Sequence, residues 1–293
     1  IGSNSNIDSI SSSNRSILNG LLYCGRKISI IDPRIANSDL SLTIDVLSYP
    51  SLISDEIKLL KFNSLWGYKG IFTTIRLVGK KPKLILVEEH IKKLNRDTSR
   101  FGIDYKLSKE FLLNFINKNS KIKNYDHLLR IAVTKKILSI SLRKRNKEDK
   151  LFKAQIYRYQ RILPSFKNLK NKKIISLQNK INLKKEEIIF YNKNKILEGS
   201  TTNIICVKDN KLFIPRKSYY YGITLDYLIN KLPFKVQKKD INVKKLDEFT
   251  ELLLVGSGKG VVSISSIKKL NWYRSSMKIY NFLSKKYSKL LEE

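Results

Sequence analysis

The stretch Leu197-Glu198-Gly199-Ser200-Thr201-Thr202-Asn203-Ile204 constrains the fold of this chain more than any other. Short apolar runs flank it, Glu187-Ile188-Ile189-Phe190 before and Ile204-Ile205-Cys206-Val207 after. Both are rich in Ile and Val, so both read as strands. Gly199 between them predicts a turn, and the turn carries a glutamate and several hydroxyls. Such a strand–turn–strand edge can meet a charged ring and its phosphate. On its own terms it is also an ordinary surface hairpin with a Gly-Ser-Thr turn.

The chain has 293 residues, enough for two medium domains or one large one. With 42% apolar and 10% aromatic residues it reads as globular rather than disordered. The formal net charge of +33 raises nucleic acid or an anionic membrane as a partner. The lysines, however, are scattered through every predicted element. Only Arg143-Lys144-Arg145 and the segment Lys170 to Lys173 approach blocks, and no zinc-ligand pattern, aromatic–basic RNA motif or basic helix face accompanies them. A compositional drift toward Lys, Asn and Ile is the simpler account, and nucleic acid is not expected as the partner. Cys24 and Cys206 lie too far apart for a disulfide framework and fit a reducing, cytoplasmic setting. Two histidines, His90 and His127, are too few for most metal sites, so no metal is expected. No apolar run approaches the roughly 20 residues of a membrane helix. A charged n-region with an apolar core is missing at the first residues, so no secretory leader is expected.

Residues 1–15 are rich in Ser and Asn and read as a disordered tail. Ile17 to Tyr23 reads as a first strand, and residues 31–60 have no clear reading. Gly70 to Leu77 and Leu84 to Val87 predict a hairpin turning at Gly79-Lys80-Lys81-Pro82. Helices follow over Glu88 to Phe101, with Ile91 and Leu94 on one face, and over Leu107 to Ile116. Leu128 to Val133 and Ile137 to Leu142 form a second hairpin, and Leu151 to Tyr159 a strand. This half, 16–159, reads as an α+β domain, and 160–168, with Pro164, as an interdomain connection. The second domain, 169–293, starts with a Lys-rich helix around 168–183. Strands at 186–191, 203–207 and 211–214 follow, then a helix from Thr224 to Leu232, strands at 250–255 and 261–267, and a terminal helix from Ser275 to Leu291.

From about Gly67 to Ile267, "GIFTTIR", "LVEEHIKKL", "LEGSTTNI", "GITLDYL" and "ELLLVGSGKGVVSI" occur in the order and near the spacing of one family. The chain resembles the fold-type IV pyridoxal 5′-phosphate enzymes, which include branched-chain and D-amino-acid aminotransferases and 4-amino-4-deoxychorismate lyase. The resemblance implies a two-domain α+β fold like that of D-amino-acid aminotransferase. A small N-terminal α+β domain would join a larger, β-rich, cofactor-binding C-terminal domain. It also implies pyridoxal 5′-phosphate as cofactor, a small-molecule substrate and a homodimer.

The resemblance assigns roles residue by residue. The family's catalytic lysine lies a little over thirty residues before the signature glutamate. Lys167, in "FKNLKN", lies 31 residues before Glu198; Lys170 is the competitor at 28. A lysine that bonds the cofactor must first be deprotonated, and burial lowers its pKa in that direction. Glu198 matches the carboxylate that pairs with the pyridinium nitrogen, and Ser200 lies beside it among the cofactor-binding positions. Ile223 and Thr224, after Gly222, match the phosphate cup at a helix N-terminus, where N–H groups and the dipole favour an anion. Thr224 taken alone is a plain N-cap. Ser257 in "GSGKGV" matches a second phosphate hydroxyl. That stretch is no P-loop, because Leu253 stands where its first Gly would fall. The family's phosphate-binding arginine after "EEH" is replaced by Lys93, which lacks the bidentate fork; Arg96 lies one turn on. Position 225 is Leu where the family often has Arg.

Phe72-Thr73-Thr74 turns the resemblance toward the lyases, in which Thr74 matches an active-site hydroxyl; aminotransferases tend to read "FE" there. The expected reaction converts 4-amino-4-deoxychorismate to 4-aminobenzoate and pyruvate, in the folate pathway. The alternatives are a D-amino-acid or branched-chain aminotransferase using the same Lys167 and Glu198, and a catalytically degenerate relative or basic binding protein.

Overall fold

A computed structural model describes residues 63–293 apart from 121 and 234, together with the backbone of two strands at 27–28 and 40–47. The predicted tail 1–15, the strand Ile17 to Tyr23 and Cys24 lie outside the described residues. The fold is α+β. Its first half contains β1 (Lys27–Ile28), β2 (Leu40–Leu47), β3 (Gly70–Gly79), β4 (Lys83–Leu84), α1 (Val87–Arg100), α2 (Lys109–Asn119), β5 (Tyr125–Thr134) and β6 (Ile137–Lys144). These strands form one six-stranded sheet in the order β1-β2-β6-β5-β3-β4. β2 supplies structure inside the 31–60 stretch that has no reading from sequence, pairing antiparallel with β6.

Period-two alternation sorts this sheet into two faces. Ile71, Ile75 and Leu77 of β3 join Leu129, Ile131 and Val133 of β5 and Leu138, Ile140 and Leu142 of β6 in one buried cluster with α1 and α2. The other face offers Phe72, Thr74, Arg130, Ser141 and Arg143 to a cavity. The predicted strand Leu84 to Val87 is cut to two residues. Leu86 takes a left-handed conformation (φ 54°) that turns the chain into α1. Ser108 caps α2 by accepting a hydrogen bond from the Phe111 N–H at 3.1 Å.

The second half contains β7 (Lys153–Arg158), α3 (Lys172–Gln178), β8 (Glu186–Asn192), β9 (Lys195–Gly199), β10 (Asn203–Lys208), β11 (Lys211–Pro215), α4 (Ile223–Asn230), β12 (Val236–Lys239), β13 (Glu251–Gly256), β14 (Gly260–Ser263), β15 (Ser266–Ile267), β16 (Trp272–Tyr273) and α5 (Lys278–Glu292). They make two five-stranded sheets, β12-β11-β10-β13-β14 and β16-β15-β7-β8-β9. β10 reads as an unbroken apolar run because both its faces are buried. Ile204 and Cys206 pack between the sheets, while Ile205 and Val207 pack under α4 and α5. β7 pairs in parallel with β8, so it belongs to the sheet of the later strands.

Three sequence expectations change here. The predicted helix over 168–183 contracts to α3, because Asn168 and Leu169 pair instead with β3. The single strand 261–267 divides into β14 and β15, which belong to different sheets. Residues 195–199 form a strand of their own, antiparallel to β8, and the reversal falls at 200–202. The signature is therefore no surface hairpin: it carries the chain from one sheet to the other. No helix of the described residues is long and apolar enough to cross a membrane.

Candidate active site

The cavity lies where the face of the first sheet meets the turn after β9, the N-terminus of α4 and the β13–β14 turn. Its volume is about 300 Å³. Lys167, Thr74, Glu198, Ser200, Ile223, Thr224 and Ser257 all line it. Lys93 does not, and Lys170 is exposed.

Lys167 is placed by main chain rather than by its own helix. Its carbonyl accepts from the Phe72 N–H at 2.8 Å, and the Leu169 N–H donates to the Gly70 carbonyl at 2.9 Å. Asn168 and Asn171 peg the loop before it. The Asn168 side-chain amide donates to the Ile162 carbonyl (2.8 Å), and the Asn171 side chain accepts from the Ile162 N–H (2.8 Å). The Lys167 ammonium position lies 5.2 Å from the Phe72 ring centroid and 5.7 Å from that of Tyr220. Burial, then the nearby charges of Arg161, Lys93 and Arg130, bring its pKa down to about 7.

Glu198 is 3% exposed. Arg161 grips it with two bonds, Nε to Oε1 at 2.9 Å and a terminal nitrogen to Oε2 at 3.3 Å, and the Tyr220 N–H donates to Oε2 at 3.3 Å. Burial pushes the carboxyl up, while Arg161 opposes the shift by charge and hydrogen bond. Arg161 was not legible in the sequence: it is one cation among many, and only folding brings it to Glu198.

The hydroxyls gather at the N-terminus of α4. Thr224 Oγ1 lies 3.0 Å from Ser257 Oγ, which lies 3.2 Å from His90 Nε2. The Asn203 side chain accepts from the Gly222 N–H at 3.0 Å and so fixes the start of the helix. Ser200 lines the cavity, but its hydroxyl donates to Glu187 and accepts from the Gln178 amide at 3.0 Å. The adjacent Thr202 hydroxyl is buried with no hydrogen-bond partner among the described residues, an open polar position in the wall. Lys93 donates to the Tyr221 carbonyl and sits 4.4 Å from the Tyr220 ring centroid, so it braces the wall from behind. Arg96 is mostly exposed and pairs with Asp97.

Across the cavity, strand register sets Thr74 beside Arg130 and Arg130 beside Ser141. Arg130 lies 4.8 Å from the Trp66 ring centroid and 5.1 Å from that of Phe72, and its Nε is buried without a partner among the described residues. Burial and Arg143 lower its pKa to about 10, so it stays charged. The arrangement can hold an anion at the helix end, keep a neutral amine in the middle, and receive a second anion against the arginines.

A family profile described as amino-transferase class IV matches residues 70–267. Among solved structures, the chain is similar to a putative 4-amino-4-deoxychorismate lyase from Legionella pneumophila. That match has 19% identity and a TM-score of 0.66 over 76% of this chain and 91% of that one. It is similar to a branched-chain aminotransferase from Thermoproteus uzoniensis solved with norvaline, at 20% identity and a TM-score of 0.67 over 79% and 90%. A branched-chain aminotransferase from Thermobaculum terrenum in its PLP form matches at 16% identity and a TM-score of 0.63 over 78% and 86%. At these identities the likeness establishes the fold. None of the curated protein sequences matches the chain.

Proposed function

This chain belongs to the class IV amino-transferase family, and from that premise we propose that it is a pyridoxal 5′-phosphate-dependent lyase converting 4-amino-4-deoxychorismate to 4-aminobenzoate and pyruvate. The observation that carries the reading is the row Thr74–Arg130–Ser141, which puts hydroxyls and an arginine in the wall of the cavity that Lys167 lines. A doubly anionic substrate with a small ring suits a cavity walled by Trp66, Phe72, Arg130 and Arg143.

The residues present fit the cofactor. The hydroxyls of Thr224 and Ser257 and the backbone at Ile223 would form a cup for its phosphate, and the Thr202 hydroxyl, without a partner among the described residues, belongs to the lining of the same cavity. Glu198 stands ready for the ring nitrogen, and Lys167 is the amine that would hold it. When bound, the cofactor supplies a ring that takes up the electron pair left as a proton departs from the substrate's amine-bearing carbon. Lys167, freed when the substrate's amine takes its place and neutral at its lowered pKa, would take that proton at Nζ; the electron pair would leave with the three-carbon fragment as the carbon–oxygen bond to the ring breaks, and Lys167 would return a proton to that fragment. Thr74 orients the fragment, and Arg130 holds a carboxylate. Arg161 favours the charged form of Glu198 against the effect of burial, and a charged Glu198 would keep the ring nitrogen protonated. Aromatisation of the product drives the step, so the protein's share is orientation and electrostatics. We also propose that the active form is a homodimer, which sedimentation would test.

The branched-chain aminotransferases among the similar structures support a second reading, amino transfer on the same Lys167 and Glu198. A product assay separates the two. Protein supplied with pyridoxal phosphate and 4-amino-4-deoxychorismate should release 4-aminobenzoate and pyruvate in equal amounts, and Lys167→Ala should release neither. Amino-acid-dependent consumption of a 2-oxo acid, with no aromatic product, would sink the lyase reading in favour of the transaminase.

A further inference from the structure

The hydroxyl cup continues into two buried side chains, Thr73 and His90, that the proposed reaction does not use. His90 Nδ1 lies 2.7 Å from Thr73 Oγ1, and His90 Nε2 lies 3.2 Å from Ser257 Oγ, which continues at 3.0 Å to Thr224 Oγ1. Thr73 is 4% exposed and His90 3% exposed. Alternation sends Thr73 to the helix side of β3, where it meets His90 of α1, and Thr74 to the other face; both threonines and His90 line the cavity. The two threonines of one dipeptide therefore do different work.

We propose that Thr73 and His90 are positioning residues: they fix the proton arrangement of the Ser257–Thr224 pair so that its hydroxyls donate to a phosphate group. This rests on the placing of the cofactor phosphate in that cup. A neutral imidazole carries one N–H, and its two nitrogens must play opposite parts. Thr73 Oγ1 has no other hydrogen-bond partner among the described residues, so its hydrogen has one place to go, His90 Nδ1. That leaves the proton on Nε2, which donates to Ser257 Oγ. Ser257 then keeps its own hydrogen, as does Thr224. One can close the bond between them and the other faces the cavity, or both turn to an anion. In the opposite tautomer Ser257 would spend its hydrogen on Nε2 and show the cavity only lone pairs, and the buried Thr73 hydrogen would be stranded. The neutral state agrees with the surroundings: burial, then Lys167 and Lys93, bring the His90 pKa down to about 3.

The chain holds two histidines, so nitrogen NMR of the imidazoles can be assigned by one substitution at His127. In cofactor-free full-length protein His90 should carry its proton on Nε2 alone. A proton on Nδ1, or an imidazolium at neutral pH, would overturn the proposal. Equilibrium binding of inorganic phosphate and of pyridoxal phosphate supplies the second readout. His90→Gln keeps both a donor and an acceptor and should bind near the wild-type level. His90→Leu should bind roughly tenfold more weakly, the effect of one misdirected donor to a charged acceptor. Equal affinity in the Leu variant, or an equal loss in both, would overturn the relay while leaving the cup in place. Failure of the wild-type protein to bind either anion would remove the cup itself, and the relay with it.

Discussion

At the residue scale the candidate site holds a lysine whose surroundings disfavour its charge. Lys167 has a pKa near 7 where an ordinary lysine has 10.5, because burial and three neighbouring cations disfavour its charge. The reactive neutral amine is therefore the major form above about pH 7 and fades as pH falls below it. The rate of cofactor attachment to stripped protein, followed by its long-wavelength absorption, should rise about tenfold per pH unit below that point and level off above it. A rise continuing toward 10.5 would mean a solvated amine. Glu198 gives a second prediction. Arg161→Met would leave a carboxylate 3% exposed without its ion partner. Removing one member of a buried pair costs about 3–5 kcal/mol, so urea unfolding should show a loss of that order. Arg161→Lys, which keeps charge but not the fork, should recover part of it. Lys167 and Glu198 were legible in the sequence, and Arg161 was not. The distance of Lys167 from Glu198 is a chain property, whereas the meeting of Arg161 with Glu198 is a product of folding.

At the element scale the site depends on close approaches between strands and loops. Gly70 opens β3 where a Cβ would lie 2.4 Å from the Val133 carbonyl oxygen and 2.7 Å from a Leu169 methyl. Gly70→Ala must push away either β5 or the segment that carries Lys167, so it should cost about 1–3 kcal/mol and lower kcat. Thermal unfolding together with kinetics would check this; a variant with wild-type stability would show that the approach is slack. Gly199 is tighter still, since a Cβ there would lie 2.1 Å from Thr202 Oγ1. The elements themselves were largely legible. The strand β3 and the helix after "LVEEH" follow from β-branched content and apolar spacing in plain view. β9 was missed because Lys195 to Gly199 is short and its Glu198 looks like a turn carboxylate, until β8 pairs with it. β7 looked like the end of the first half, yet its hydrogen bonds go to β8. We therefore propose that the domain boundary falls ahead of β7, near residues 145–152, rather than at 160–168.

At the scale of the whole molecule the cavity joins parts far apart in sequence, so filling it should stabilise both halves together. Pyridoxal phosphate at a hundred times its Kd should raise unfolding free energy by about 2.7 kcal/mol and shift Tm upward, while Lys167→Ala should keep only part of that gain. An unchanged Tm would exclude binding to the folded state. The net charge of +33 belongs to this scale too, and seven of its cations line the cavity: Arg130, Arg143, Lys144, Arg145, Arg161, Lys167 and Lys259. The sequence by itself determined the order of elements, the signature with Glu198, the lysine 31 residues before it and the hydroxyls at 224 and 257. These follow from local propensity and from spacing along the chain. Only the tertiary structure decided which cations reach the cavity, that Lys93 stands behind its wall and that Thr73 and Thr74 face opposite ways across β3. It alone brought His90 to Ser257 across 167 residues. The physical reason is that burial and strand register, which set pKa values and hydrogen-bond partners, come from contacts between segments that no local pattern records.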